Sequence, residues 1–133
     1  MDRIRSRPGM PSLNVERTSD GEVEVVAVTG EIDIASAPRL ITGLNDAVGN
    51  CELPVVVDLT DVGFMDSTGL ALLLNAHRRL SRRGKGFAVA CGDGPVRRVF
   101  TITDMVDVLQ VRPQLAEARA AALQATSAEV SST

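Results

Sequence analysis

Aromatic side chains are almost missing from this sequence, which has three Phe and neither Trp nor Tyr in 133 residues. Base-stacking platforms for single-stranded nucleic acid need such rings. The net charge of −3 does not favour a phosphate-backbone binder either. No direct nucleic-acid contact is expected. Long apolar runs are also lacking, and none approaches the ~20 residues that span a bilayer. The stretch MDRIRSRPGMP is basic but has no apolar core of a signal peptide, so a cytoplasmic protein without a membrane role is expected. The two cysteines, Cys51 and Cys91, match no CxxC or zinc-ligand pattern, and two free, partly buried thiols are the expectation. No phosphate-loop motif and no metal-ligand cluster occur, so neither cofactor nor metal is expected.

What is present reads as one α/β domain. A length of 133 residues, 44% hydrophobic and 23% charged, leaves room for one modest core. Residues 1–11 read as a flexible N-terminus, 12–125 as the domain and 126–133 as a flexible tail. Leu13, Val15 and Arg17 alternate with polar residues as an edge strand, and Ser19-Asp20-Gly21 signals a hairpin turn. Residues 22–29 form a second strand, ending at Gly30-Glu31-Ile32-Asp33. Ser36 is placed to cap a helix carrying Ala37, Leu40, Ile41, Leu44 and Val48 as one apolar stripe. A buried strand over 54–59 follows, with Thr60-Asp61-Val62-Gly63 as a turn. The helix after it, about 67–83, turns Gly69, Leu72, Leu73, Ala76 and Leu80 toward the sheet. Leu70 and Leu74 fall on the side turned away. Phe87–Ala90 is a short buried strand, and Val96, Val99 and Phe100 belong to a short helix. Residues 108–111 suit a last strand, and a closing helix through about Ala125 turns Leu115, Ala118 and Ala122 inward. This order predicts a small mixed sheet with parallel inner strands, joined by right-handed crossovers and packed by about four helices. Asp33, Ser67 and Cys91 then share one end of the domain.

Asp66-Ser67-Thr68 is where chemistry concentrates. Short side-chain oxygens at a helix start accept from its free amides, so Ser67 reads as a cap. As an acceptor of phosphate it has a second reading. A phosphoserine carries about −1.5 to −2 charges, which a helix N-terminus tolerates but a partner burying that edge beside Asp66 and Asp33 does not. Catalysis by Ser67 has no base to support it. The only histidine, His77, lies about 15 Å along the same helix at 1.5 Å per residue. Arg78, Arg79, Arg82 and Arg83 suit the negative end of the helix dipole and read as a solvated helix end.

The run Phe64-Met65-Asp66-Ser67-Thr68-Gly69-Leu70, after Val55-Val56-Val57-Asp58-Leu59, resembles the phosphorylation motif of anti-sigma factor antagonists of the STAS family, the SpoIIAA type. Gly30-Glu31-Ile32-Asp33 with Ala37 and Leu40, and Val96-Arg97-Arg98-Val99-Phe100, are similar to flanking parts of that family's pattern. The resemblance implies a STAS-type domain that binds an anti-sigma factor, itself a serine kinase, and thereby releases a sigma factor. It implies Ser67 as the phosphoacceptor, ATP-Mg²⁺ as the partner kinase's own cofactor, and a phosphatase that resets the switch. Asp33, Asp66, Ser67, Thr68 and Gly69 would form the contact surface, with Gly69 letting a partner backbone approach. Leu70 and Leu74 are placed there as apolar contacts. Thr68 stands where a second serine is common, and Asp104 stands where a glycine is usual after the third helix. The alternative reading within the family is a stressosome-like scaffold or ligand-sensing module without a cognate anti-sigma kinase.

Overall fold

In the computed structural model, which describes residues 13–50 and 52–131, the chain alternates as the sequence pattern predicts. Strand β1 (Leu13–Ser19) pairs antiparallel with β2 (Glu24–Ile32), Leu13 opposite Gly30 and Ser19 opposite Glu24. Asp20 builds the turn between them, its Oδ1 accepting from the amides of Glu22 at 2.8 Å and Val23 at 3.0 Å. Helix α1 (Ala37–Asn50), β3 (Val55–Met65), α2 (Ser67–Ser81), β4 (Phe87–Ala90), α3 (Pro95–Ile102), β5 (Val111–Arg112) and α4 (Leu115–Ser131) follow. The sheet order is β1-β2-β3-β4-β5, and every pair beyond the hairpin is parallel.

Strand pleating divides the apolar residues between two layers. Val26, Val28, Val55, Val57, Val89 and Val111 face α1, α2 and α3, whose Leu40, Leu44, Leu73, Leu80, Val96 and Phe100 complete the main core. On the other face Val23, Val56, Ala88 and Ala90 meet Ala118, Ala121 and Ala122 of α4. Three consecutive crossovers on one face bring the ends of β2, β3 and β4 to a single edge.

Five local expectations are corrected. Residues 60–63 are not a turn: β3 continues to Met65, and two register shifts against β2 show that it carries bulges there. Turn-type residues are what a bulge accepts, which is why the sequence pattern misleads. Ser36 does not cap α1 forward, as the loop geometry below shows. In α1 Ile41 is 39% exposed, and Ala47 takes the buried place. The last strand is only Val111–Arg112, because positive φ at Asp104 and Gln110 fills 103–110 with turns and leaves Val108 exposed. Finally, α4 runs to Ser131 instead of ending near Ala125, and Leu115 is 37% exposed while Ala121 is buried. Thr126 holds that extension to the sheet, its Oγ1 accepting from the Gly86 amide at 2.5 Å and donating to the Ala122 carbonyl at 3.1 Å. Residues 1–11 and Cys51, for which flexibility and a free thiol are expected, lie outside the described residues.

Candidate functional site

Ser67 sits at the first helical position of α2, directly past the end of β3, and is exposed. The cap is Asp66, not Ser67. Asp66 has extended backbone (φ −104°, ψ −170°), and its Oδ1 accepts from the Thr68 amide at 2.9 Å. Its carbonyl accepts from Gly69 at 3.1 Å and Leu70 at 3.4 Å, which closes the first turn. The Ser67 hydroxyl makes no hydrogen bond among the described residues. The cap also fixes a neighbouring loop, because the Asp66 amide donates to the Ile32 carbonyl at 3.2 Å. That bond fastens the end of β2 to the start of α2.

The loop after Ile32 is itself held rigid. The Ser36 amide donates to Asp33 Oδ1 at 3.0 Å, and the Asp33 amide donates to Ser36 Oγ at 3.0 Å. Ser36 Oγ–H then donates back to the Glu31 carbonyl at 2.8 Å, so this hydroxyl locks the loop behind it. The loop presents one large apolar side chain, Ile34, which is 79% exposed. Across the strand pair, Phe64 stands opposite Glu31 and is 45% exposed. Burying such groups is favourable at about 25 cal/mol per Å², so Ile34 and Phe64 make this edge adhesive.

The expected residues separate into two groups. Asp33, Asp66, Ser67 and Thr68 come together at the edge. Gly69 is buried, and it opens space for this chain's own side chains. A Cβ there would lie 2.6 Å from Met65 Cγ and 2.7 Å from Ile32 Cγ2. Leu70, 8% exposed, and the half-buried Leu74 pack on the main core, which corrects their placement on an outward face. Helix α2 is flanked by α1 and α3 as well as backed by the sheet, so a residue turned from the sheet is not thereby turned to solvent. Leu72, expected inward, is half-buried. Ile34 and Phe64 were not foreseen. Their sequence signal is slight: Ile34 follows Asp33 just past a strand end, and Phe64 stands beside Met65 with nothing in the pattern to show which of the two points outward.

Cys91 directly follows β4 on the same edge and is a free thiol, 2% exposed. Burial pushes it up to about 11, against the opposing pull of Arg97 and with a smaller push from Asp93, so it stays protonated at neutral pH. His77 is half-buried with its ring edge-on to Phe87, centroids 6.0 Å apart, and offers Ser67 no base. At the far end of α2, Arg79 donates to Asn45 Oδ1 at 2.7 Å and Arg83 to the Val48 carbonyl, so these two arginines tie α2 to α1. Among the described residues no side-chain cluster suits a metal ion, and no helix is long and apolar enough to cross a membrane. The arrangement offers an accessible hydroxyl at a helix start on a rigid, partly apolar edge.

Known proteins are similar to this chain in sequence and in fold. The STAS domain family matches residues 14–118. The anti-sigma-B factor antagonist of Staphylococcus aureus (strain NCTC 8325 / PS 47) is 30% identical over 100 residues, covering 75% of this chain and 93% of that protein. A crystal structure of an anti-sigma factor antagonist from Mycobacterium paratuberculosis superposes with a TM-score of 0.78 at 30% identity, covering 84% of this chain and 94% of the other. The anti-sigma factor antagonist SpoIIAA in its unphosphorylated form has the same fold, with a TM-score of 0.64 at 19% identity over 74% of this chain and 88% of that one. By sequence and by fold, this chain belongs to the STAS domain family.

Proposed function

We propose that this protein is an anti-sigma factor antagonist switched by phosphorylation of Ser67. Its relatives in Staphylococcus aureus and Mycobacterium paratuberculosis carry the antagonist name, which supports the binding role. The observation that carries the switch is the division of labour at the start of α2. Asp66 supplies the cap, so the exposed Ser67 hydroxyl is left with no structural duty.

Unphosphorylated, the edge binds an anti-sigma factor that is a serine kinase, and the bound sigma factor is released. Docking buries Ile34 and Phe64, and Ser67 lies on the edge they share. The kinase, with its own ATP-Mg²⁺, transfers the γ-phosphoryl group to Ser67 Oγ, and the serine proton leaves to a base of the kinase. The helix start accommodates the new dianion without rebuilding the fold. Burying the edge again then requires stripping water from a phosphate beside Asp66 and Asp33, which costs several kcal/mol or more unless a cation meets it. The partner departs, and a phosphatase restores the hydroxyl.

Intact mass after incubation with the organism's anti-sigma kinases and ATP-Mg²⁺ tests this reading. One added phosphate is expected on the wild type and none on Ser67→Ala, with kinase binding lost in Ser67→Glu. Absence of modification by every such kinase, with Ser67→Glu binding as tightly as wild type, overturns the switch.

A further inference from the structure

Sheet edges are normally blunted, since their free amides and carbonyls invite another strand. At one edge of this sheet β5 is protected by being two residues long. The other edge, β1, has seven residues in unbroken register with β2, no proline and no bulge, and Asn14, Glu16, Arg17, Thr18 and Ser19 are exposed. A groove of about 570 Å³ runs beside it, with Leu13, Val15 and Arg17 on one wall and Pro38, Arg39 and Asp46 on the other.

The groove has an internal symmetry. Helix α1 runs parallel to β1, because β2 between them in sequence runs the opposite way. Arg39 donates to the Leu13 carbonyl at 2.9 Å, so it marks one end of the groove. Gly43 meets Val15 in the middle, where an added Cβ would fall 2.5 Å from Val15 Cγ1. Asp46 and Arg17 line the other end. A cation and an anion therefore stand about equally far from Gly43, on opposite sides. Arg39 and Asp46 are both exposed, and neither has an ion pair among the described residues.

We propose that a second copy of this chain docks edge to edge on β1, about a twofold axis through Val15. An antiparallel pairing centred there sets Leu13 opposite Arg17 of the second copy, Asn14 opposite its Glu16, and Val15 opposite its Val15. Directly opposed residues share a face, so Leu13, Val15 and Arg17 of both copies stay on the helix side. The same rotation lays α1 antiparallel to its copy. Each Arg39 then faces the other copy's Asp46, and each Asn14 amide faces the other copy's Glu16 carboxylate. Every favourable contact is made twice, as an isologous interface requires. A different occupant would need its own matching pattern of charge; this chain supplies that pattern itself. Helix α2 lies on the far flank of α1 from β1, so the dimer leaves both Ser67 edges open.

Sedimentation equilibrium on the full chain, at concentrations from about 1 to 500 µM, tests the interface. The wild type is expected to approach twice the 14.1 kDa chain mass within this range. Arg39→Asp and Asp46→Arg are each expected to weaken dimerisation about tenfold or more, and the combined charge swap to recover it. Arg39 also holds β1, so circular dichroism confirms the fold of that variant, while Asp46→Arg stands free of this concern. A wild type that stays at the mass of one chain throughout overturns the proposal. So does a dimer that neither single variant weakens, because its interface then lies on another face.

Discussion

Asp66 accepts a hydrogen bond from the Thr68 amide at 2.9 Å, reaching over the residue between them. Ser67 is thereby relieved of capping, so the cap and the proposed phosphoacceptor are adjacent residues. Asp66→Ala is expected to lower stability by about 1 kcal/mol, the usual cost of a lost N-cap, whereas Ser67→Ala stays within about 0.5 kcal/mol of wild type. Urea unfolding of the two variants side by side checks this. The reverse order would make Ser67 the cap and remove the basis for its freedom.

Gly69 is the point where α2 presses closest on the strand ends. Alanine favours a helix interior by about 1 kcal/mol over glycine. Here its methyl would meet Met65 and Ile32 at 2.6 and 2.7 Å. Overpacking of this kind costs about 1–3 kcal/mol, so Gly69→Ala is expected to destabilise despite its better propensity. Thermal unfolding followed by circular dichroism reads the sign directly.

Ile34 and Phe64 are the apolar contacts predicted for the partner surface, in place of Leu70 and Leu74. Ile34→Ser and Phe64→Ser are each expected to weaken binding of the cognate anti-sigma factor about tenfold or more by calorimetry. Their unfolding midpoints should stay near wild type, since both side chains are substantially exposed. Leu70→Ala should do the opposite, losing about 2–5 kcal/mol of stability as a core truncation.

Arg119 of α4 reaches the β1–β2 hairpin, donating to Asp20 Oδ2 at 2.6 Å and also to Glu22. The guanidinium, with the amides of Val23 and Glu22, holds the Asp20 carboxyl well below the usual carboxylate range. A carboxyl depressed in the folded state adds stability above its unfolded pKa, about 3.9, and loses that contribution as pH falls toward the folded value. The melting-temperature difference between wild type and Arg119→Ala is therefore expected to be constant from pH 5 to 7 and to shrink below about pH 4. A difference that is unchanged or grows in acid contradicts the assignment.

The strand order, the helix count and the shared edge of Asp33, Ser67 and Cys91 were legible in the sequence, because alternation of strand and helix leaves little topological freedom. Asp104 stands where the family pattern has glycine, and its φ is +61°, in the left-handed region that glycine takes most readily and aspartate tolerates. Leu70 was not legible, because a helical wheel gives direction relative to the sheet and says nothing of helices on either flank. Ile34 escaped notice because an isolated apolar residue defaults to burial in any pattern-based reading. Ser36 looked like a forward cap because its backward bonds to Asp33 and Glu31 depend on how the loop closes in space.

The bulges in β3 act as a phase shift. Val62 pairs with Gly30, yet Phe64 pairs with Glu31, so Gly63 is an uncounted step that reverses which residues point inward. After it Phe64 is outside and Met65 is 3% exposed; were Gly63 counted in the ladder, the two would trade places. The chemistry of this edge thus depends on counting as much as on residue type. Substitutions at Thr60 and Gly63, the exposed extra residues of the two bulges, should be absorbed by the sequence tolerance of a bulge. Deleting Gly63 would remove the bulge yet keep Phe64 opposite Glu31 and the ring outside, whereas drawing Gly63 into the ladder would carry the ring into the core and turn the helix start, hydroxyl included, to a different bearing. Lineages of this protein should accordingly vary more freely at Thr60 and Gly63 than at Leu59, Val62 and Met65, which fill the core.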